Sequence, residues 1–227
     1  MRNARSSPDP FGSSFTYRPG RPQRPAPSPR PAEPETQDSQ PQEAEQPAQR
    51  PQQTFIDWAG SPKGTLAMVF TDIIGSTALG NELGDEEMNA VRRAHFARAR
   101  ALIEELSGHP IKTNGDEVIA AFRTAVDALD YALALHADAG HPKIRIRAGI
   151  HVGPIVIEQN EPHGTTVNYT ARVVSVAKGP EIWLSNEARK HILQEGAKRH
   201  TQLQWRASTN CLLKGFQGRQ VLWSVLR

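Results

Sequence analysis

"HPIKTNGDEVIAAF", residues 109–122, decides the fold. Apolar residues flank Asn114-Gly115, a strong hairpin dipeptide. The stretch therefore predicts two antiparallel strands, Pro110–Thr113 and Glu117–Phe122, joined by a tight turn. Before it, "DEEMNAVRRAHFARARALIEEL" (Asp85–Leu106) places Met88, Val91, His95, Ala99, Leu102 and Leu106 along one helical face. After it, "TAVDALDYALALHADAG" predicts a second helix, opened by a Thr124 cap and closed near Gly140. Further out, "TLAMVF" (65–70) reads as a buried strand and "KIRIRAGIHVG" (143–153) as an alternating one. Strand, helix, hairpin, helix, strand is the order of a ferredoxin-like βαββαβ unit, of the α+β class. C-terminal additions follow: a helix from about Thr165, a strand "EIWLS", a helix "NEARKHILQEG" and a closing hairpin around Gly215–Gly218. There is no internal repeat.

The first 60 residues have another character. Twelve of the chain's 18 prolines lie between Pro8 and Pro51, and residues 18–53 contain no Val, Ile, Leu or Phe. Such a stretch cannot bury enough surface to offset its ordering entropy, so it reads as a disordered, polyproline-II-like tail. A tail so rich in proline could dock an aromatic groove on a partner, although a tethering or solubilising role is the simpler reading. "TFIDWAG" (54–60) is the first apolar cluster, expected to pack on the domain edge or on a neighbour. The domain proper is expected over residues 61–227.

Bulk properties narrow the function. A net charge of +3 over 227 residues suits anionic small ligands but is too mild to argue for nucleic acid. The single cysteine, Cys211, excludes an internal disulfide and suits a reducing compartment. No run approaches the roughly 18 apolar residues of a membrane span. No apolar signal core follows Met1. A cytoplasmic location is expected.

Two acids stand out by position. Asp72 lies in "FTDIIGST" (70–77), where an apolar strand ends, and Asp116 lies in the hairpin turn. In a βαββαβ sheet both come to one end. Either acid alone could simply cap a helix or shape a turn. As a pair beside small-residue turns they suit Mg²⁺, which takes one or two carboxylates plus phosphate oxygens. The small backbone of "IIGST" could approach an anion, helped by a helix N-terminus after it. No P-loop pattern is present. In "HGTTVNYTARVVSVA", Asn168 and Arg172 stand four residues apart on one helical face. An amide and a guanidinium so placed can orient a sugar and stabilise charge growing on a phosphoryl oxygen. Lys214, in "LLKGFQG", is by itself an ordinary surface lysine.

Taken together, "FTDIIGST", "IKTNGDEVIAAF", "GIHVGPI", "GTTVNYTARVV" and "LLKGF" resemble, in order and spacing, the class III nucleotidyl cyclase catalytic domain, in its bacterial single-domain form. The resemblance covers about residues 63–227 and implies the class III cyclase fold. It implies two divalent metal ions, Mg²⁺ or Mn²⁺, at Asp72, Ile73 and Asp116, and a triphosphate cradled by Ile73, Ile74, Gly75 and Ser76. It further implies a base read by Lys112 and by the position of Glu161, a ribose oriented by Asn168, a transition state stabilised by Arg172, and terminal phosphates bound by Lys214. In this family the sites form between two antiparallel chains, so a homodimer with two sites is implied. The implied reaction is cyclisation of a nucleoside triphosphate to the 3′,5′-cyclic monophosphate and pyrophosphate.

Glu161, in "NEPHG", departs from the family pattern, which usually has Asp, Thr or Ser in adenylate cyclases and Cys in guanylate cyclases. A carboxylate accepting from an exocyclic amine, with Lys112 donating to a ring nitrogen, suits adenine and equally cytosine. ATP is the expected substrate and CTP the competitor; alternatively Glu161 points to solvent. Glu117 stands where glycine is frequent, and either faces solvent or adds charge near the metals. His95 is expected to be a satisfied core residue, and His151 to have no metal partner. A catalytically weak regulatory domain is the alternative to an enzyme, but its usual mark, loss of a metal acid or of the arginine, is missing.

Overall fold

A computed structural model describes residues 53–196 and 199–226. The proline-rich stretch up to residue 52 lies outside the described residues. The central strand, β1 (Lys63–Ile73), has an unbroken buried run from Leu66 to Thr71, the pattern of a strand covered on both faces. It runs three residues beyond the predicted "TLAMVF" and carries Asp72 within its last turn of pleat. β1 pairs antiparallel with β3 (Glu117–Phe122) on one side and with β4 (Ile146–Glu158) on the other. β2 (His109–Asn114) pairs with β3 and closes that edge. The strand order β2-β3-β1-β4 is the expected βαββαβ core. It continues through β6 (Ile182–Ser185), parallel to β4, to β8 (Gln220–Leu226) and β7 (Gln204–Cys211). A three-residue strand, β5 (Glu161–His163), folds back on β4.

Period two divides each central strand between two cores. Ala67, Val69 and Ile73 of β1 face one core with Ile146 and Ile150 of β4. This side is roofed by α3 (Asp85–Glu105), α4 (Ala125–Ala137) and α6 (Asn186–Glu195). Met88, Val91, His95, Ala99 and Leu102 of α3 are buried, as the helical stripe predicts. α4 starts where expected, with the Thr124 side chain accepting from the Asp127 amide. It ends at Ala137, short of Gly140, with Asp138 as C-cap.

Met68 and Phe70 face the opposite side, with Ile119 of β3 and Ile155 and Ile157 of β4. Among the described residues, two short helices pack there: α1 (Phe55–Ala59) and α5 (Thr165–Val174). "TFIDWAG" is therefore a capped turn of helix packed on its own domain, with Phe55 1% and Trp58 7% exposed. α5 lies directly on β4 because β4 is bare beneath it. A Cβ at Gly149 would stand 2.3 Å from the Val174 amide nitrogen, and one at Gly153 2.6 Å from the Thr166 hydroxyl.

The β2–β3 turn differs from expectation by one residue. Asn114 pairs with Glu117, so the central residues are Gly115 and Asp116, not Asn114 and Gly115. Gly115 has φ 61°, at the first central position where a two-residue hairpin of the II′ kind needs glycine. Asp116 stays in the turn, now as one of its two central residues.

Candidate active site

The site grows from one cross-strand row. Glu117 of β3, Asp72 of β1 and Arg147 of β4 are register partners. Asp72 has the parity of Met68 and Phe70, so this row faces the lightly covered side of the sheet, where α1 and α5 lie. Asp116, one residue before Glu117, joins the row at the hairpin tip. Both predicted metal acids thus come to one end of the sheet.

Each acid is held by an arginine. Arg147 donates to Asp72 Oδ2 through Nη2 at 2.6 Å and Nε at 3.0 Å. Arg92, on α3, donates through Nε to Asp116 Oδ1 at 2.6 Å. Each acid is thus paired with a guanidinium of its own chain. Glu117 is a third carboxyl in the row, its pKa pushed above the usual range by burial, then by the Asp72 charge. Glu117 is partly buried in this row, opposite Asp72, rather than facing open solvent.

Among the described residues, no three His, Cys, Asp or Glu side chains gather as a metal cage. Two carboxylates at a strand end, with coordination left open for substrate oxygens, are a donor set that fits Mg²⁺ or Mn²⁺. They do not fit a structural metal.

After Asp72 the chain leaves the sheet through Ile73, Ile74 and Gly75, the last in the left-handed region at φ 67°. α2 (Ser76–Leu83) begins at once, with no side chain capping its first turn. One part of the expected cradle is altered: the Ile74 amide already donates to Arg145 O at 2.8 Å. The amides without intrahelical partners start at Ser76, in the first turn of α2, and are the ones available to an anion.

On the same face, Lys112 of β2 and Glu161 of β5 meet. Nζ lies 3.7 Å from Oε2, with both side chains about half exposed at 50% and 55%. Glu161 is at once solvent-exposed and within ion-pair reach of Lys112. The two side chains come from strands that are not paired with each other, separated in the sheet by β3, β1 and β4.

Asn168 and Arg172 lie on α5, Asn168 exposed and Arg172 half-buried. Lys214 is exposed in the β7–β8 connection beside Leu212, which is 73% exposed. None of these three side chains makes a hydrogen bond or ion pair to the described residues. Asp72 and Asp116, by contrast, each accept from an arginine through one carboxylate oxygen.

His95 is fully buried, with Nδ1 2.8 Å from Ala139 O, and burial lowers its pKa. His151 bonds Ser185 Oγ at 2.7 Å and is held neutral by burial, its pKa lowered to about 4. His95 is a core residue as expected, but its buried Nε2 has no hydrogen-bond partner among the described residues, so it is only half satisfied. His163 is exposed at the end of β5.

Arg147 and Arg92 were not singled out from the sequence. Arg147 had a signal: it alternates with Arg145 on the strand that must neighbour β1. Only the register shows which arginine faces Asp72. Arg92 sits on the flank of its helical stripe and had no signal.

The model of the adenylate and guanylate cyclase catalytic domain matches residues 59–226. An adenylate cyclase of Streptomyces coelicolor is 32% identical over 114 residues, covering 49% of this chain and 30% of that protein. An uncharacterized protein of Mycobacterium tuberculosis is 31% identical over 125 residues, covering 55% of this chain and 44% of that one. The chain thus spans less than half the length of these curated relatives. Among solved structures, the adenylyl cyclase CyaB from P. aeruginosa superposes with a TM-score of 0.63 at 21% identity, over 73% of this chain and 95% of that one. The guanylate cyclase domain of RhGC from Catenaria anguillulae, in complex with GTP, gives 0.59 at 21% identity, over 71% and 96%. These likenesses carry the fold, and the family model carries the relationship: the chain belongs to the adenylate and guanylate cyclase catalytic-domain family.

Proposed function

We propose that residues 61–227 form a nucleotidyl cyclase domain that converts ATP to the 3′,5′-cyclic monophosphate and pyrophosphate, for cyclic-nucleotide signalling. The observation that carries this reading is the shared face of two acids and a base-reading pair. Asp72 and Asp116 lie at one sheet end, and Lys112 and Glu161 meet on the same side.

Asp72 and Asp116, with the Ile73 position, would hold two divalent cations. Bound there, the metals would lower the effective pKa of the ribose 3′-hydroxyl and neutralise charge on the leaving pyrophosphate. Arg92 and Arg147 must let go of the acids for this to happen. A guanidinium freed beside Asp72 then stands where the triphosphate arrives, so Arg147 is placed to pair with it. The first-turn amides of α2 would donate to the same phosphates. Asn168 would hold the ribose so that its 3′-oxygen faces the α-phosphorus, and Arg172 would take up charge growing on the α-phosphate oxygens. Lys214 would bind the terminal phosphates.

Asn168, Arg172 and Lys214 have no intrachain partner among the described residues, which suits side chains that serve a site on a second copy. A twofold dimer pairing the lightly covered faces would complete two sites, each taking its acids from one chain and Lys112, Asn168, Arg172 and Lys214 from the other. Leu212 would be covered in such a dimer.

The Lys112–Glu161 pair offers a donor and an acceptor side by side. That matches N1 and the 6-amine of adenine, and equally N3 and the 4-amine of cytosine, so CTP is the second reading. The test is to supply ATP, CTP, GTP and UTP in turn with Mn²⁺ and identify the cyclic product. Cyclic AMP as main product supports the proposal, cyclic CMP supports the second reading, and GTP or UTP preference would overturn the base-reading argument.

A further inference from the structure

Lys112 and Glu161 belong to strands that share no ladder, so backbone pairing does not fix their separation. α1 touches the supports of both. On one side Phe55 stacks on His109 with ring centroids 5.1 Å apart, and Trp58 lies 5.5 Å from the same ring. His109 opens β2, three residues before Lys112. Trp58 Nε1 also donates to Ser107 O at 3.1 Å, just ahead of that strand.

On the other side α1 is gripped by the base loop. Asn160 Oδ1 accepts from the Phe55 amide at 2.6 Å and lies 3.4 Å from the Ile56 amide. It thereby satisfies the amides that open a helix and have no partner within it. Asn160 immediately precedes Glu161. Gln159 and Asn160, both left-handed at φ 51° and 65°, form the two-residue turn between the paired Glu158 and Glu161. That turn is stiff, because two consecutive left-handed residues leave little freedom. A force on the Asn160 side chain is therefore passed to the Glu161 backbone.

We propose that Asn160 is a positioning residue for base selection: by clamping α1 against the β4–β5 turn it sets the spacing of Glu161 from Lys112, and so which nucleobase edge fits between them. The inference rests on the cyclase reading above for the identity of the pair as base readers.

The test uses the full chain and nucleotide binding rather than turnover. Asn160→Gly keeps the left-handed turn and deletes the clamp; Asn160→Asp keeps the acceptor. Dissociation constants for 3′-deoxy-ATP and 3′-deoxy-CTP, which cannot cyclise, are measured with Mn²⁺ for all three proteins. The proposal expects the ATP-to-CTP affinity ratio to change by about fivefold in Asn160→Gly, the scale of one positioning hydrogen bond, and to return to the parental value in Asn160→Asp. His109→Leu, which loosens α1 from β2, should move the ratio as well. Equal weakening of both nucleotides in Asn160→Gly, or an unchanged ratio, overturns the proposal and marks Asn160 as merely structural. If the analogues bind with the expected ratios but no triphosphate is cyclised, the cyclase reading fails and the clamp stands. If neither analogue binds the parental chain, both fail.

Discussion

Replacing Gly149 by alanine tests how the sheet positions α5. The new Cβ would stand 2.3 Å from the Val174 nitrogen, 2.7 Å from its Cα and 2.8 Å from its Cβ. The first two are backbone atoms and cannot rotate away. Ordinary contact begins near 3.4 Å, so the C-terminal end of α5 must retreat by about 1 Å, in a packed interior that resists such shifts. Overpacking of this kind costs about 1–3 kcal/mol. For a domain of this size a cost of about 2 kcal/mol lowers Tm by about 4–8 °C. Arg172 lies two residues from the clash, and a misplacement of about 1 Å can cost on the order of 10²-fold in rate. The assay pairs thermal unfolding with initial rates of cyclic product formation from ATP and Mn²⁺. Gly179→Ala is the control, because nothing lies within 4 Å of its Cβ and its φ is ordinary; it should stay within about 0.5 kcal/mol of the parent. A Gly149→Ala protein that melts with the parent and turns over at the parental rate would refute the reasoning that bare backbone at 149 seats α5.

Four further outcomes are expected. Phe55→Ala removes a fully buried aromatic ring from the second core and should destabilise the domain by about 3–5 kcal/mol in denaturant titration, although it lies outside the matched family region. Asp72→Asn should abolish metal-dependent turnover, and Mn²⁺ binding followed by electron paramagnetic resonance should show a lost site, whereas intact binding would remove Asp72 from the metal set. Mixing equal amounts of Asp72→Asn and Arg172→Ala chains should restore about a quarter of parental activity. Half the dimers are then mixed, each with one of its two sites intact; no recovery would argue against shared sites. Stability should fall as pH drops from 6.5 towards 4. His151 is neutral when folded down to about pH 4 but takes a proton from 6.5 when unfolded, so the unfolded state binds more protons in that window. Burial lowers the His95 pKa as well. His151→Gln should therefore flatten the acid-side loss of Tm in part, and an unchanged pH profile would count against the neutral buried ring.

Much of the architecture was legible before any coordinates. The 3.6-residue stripe from Met88 to Leu102, the Thr124 cap, and the hairpin between two helices are local patterns, written in residues close in sequence. The order of motifs was legible for the same reason, and so were the candidates Asp72, Asp116, Asn168 and Arg172. Element ends were less so. β1 and β4 run further than their apolar runs because partner strands go on satisfying their backbone. The hairpin turn moved by one residue because strand register, not the Asn-Gly dipeptide, chose its centre.

The sequence by itself determined the fold class, the family likeness and the kinds of side chain available for chemistry, since these depend on periodicity and motif order along one chain. Only the tertiary structure decided which groups face one another. Arg147 meets Asp72 because antiparallel register sets them opposite, 75 residues apart. Arg92 meets Asp116 because α3 packs beside the hairpin tip. Glu161 turns to Lys112, and α1 is locked between their supports, through contacts between strands that never pair. Such pairings depend on long-range register and packing, which no local pattern of residue types encodes.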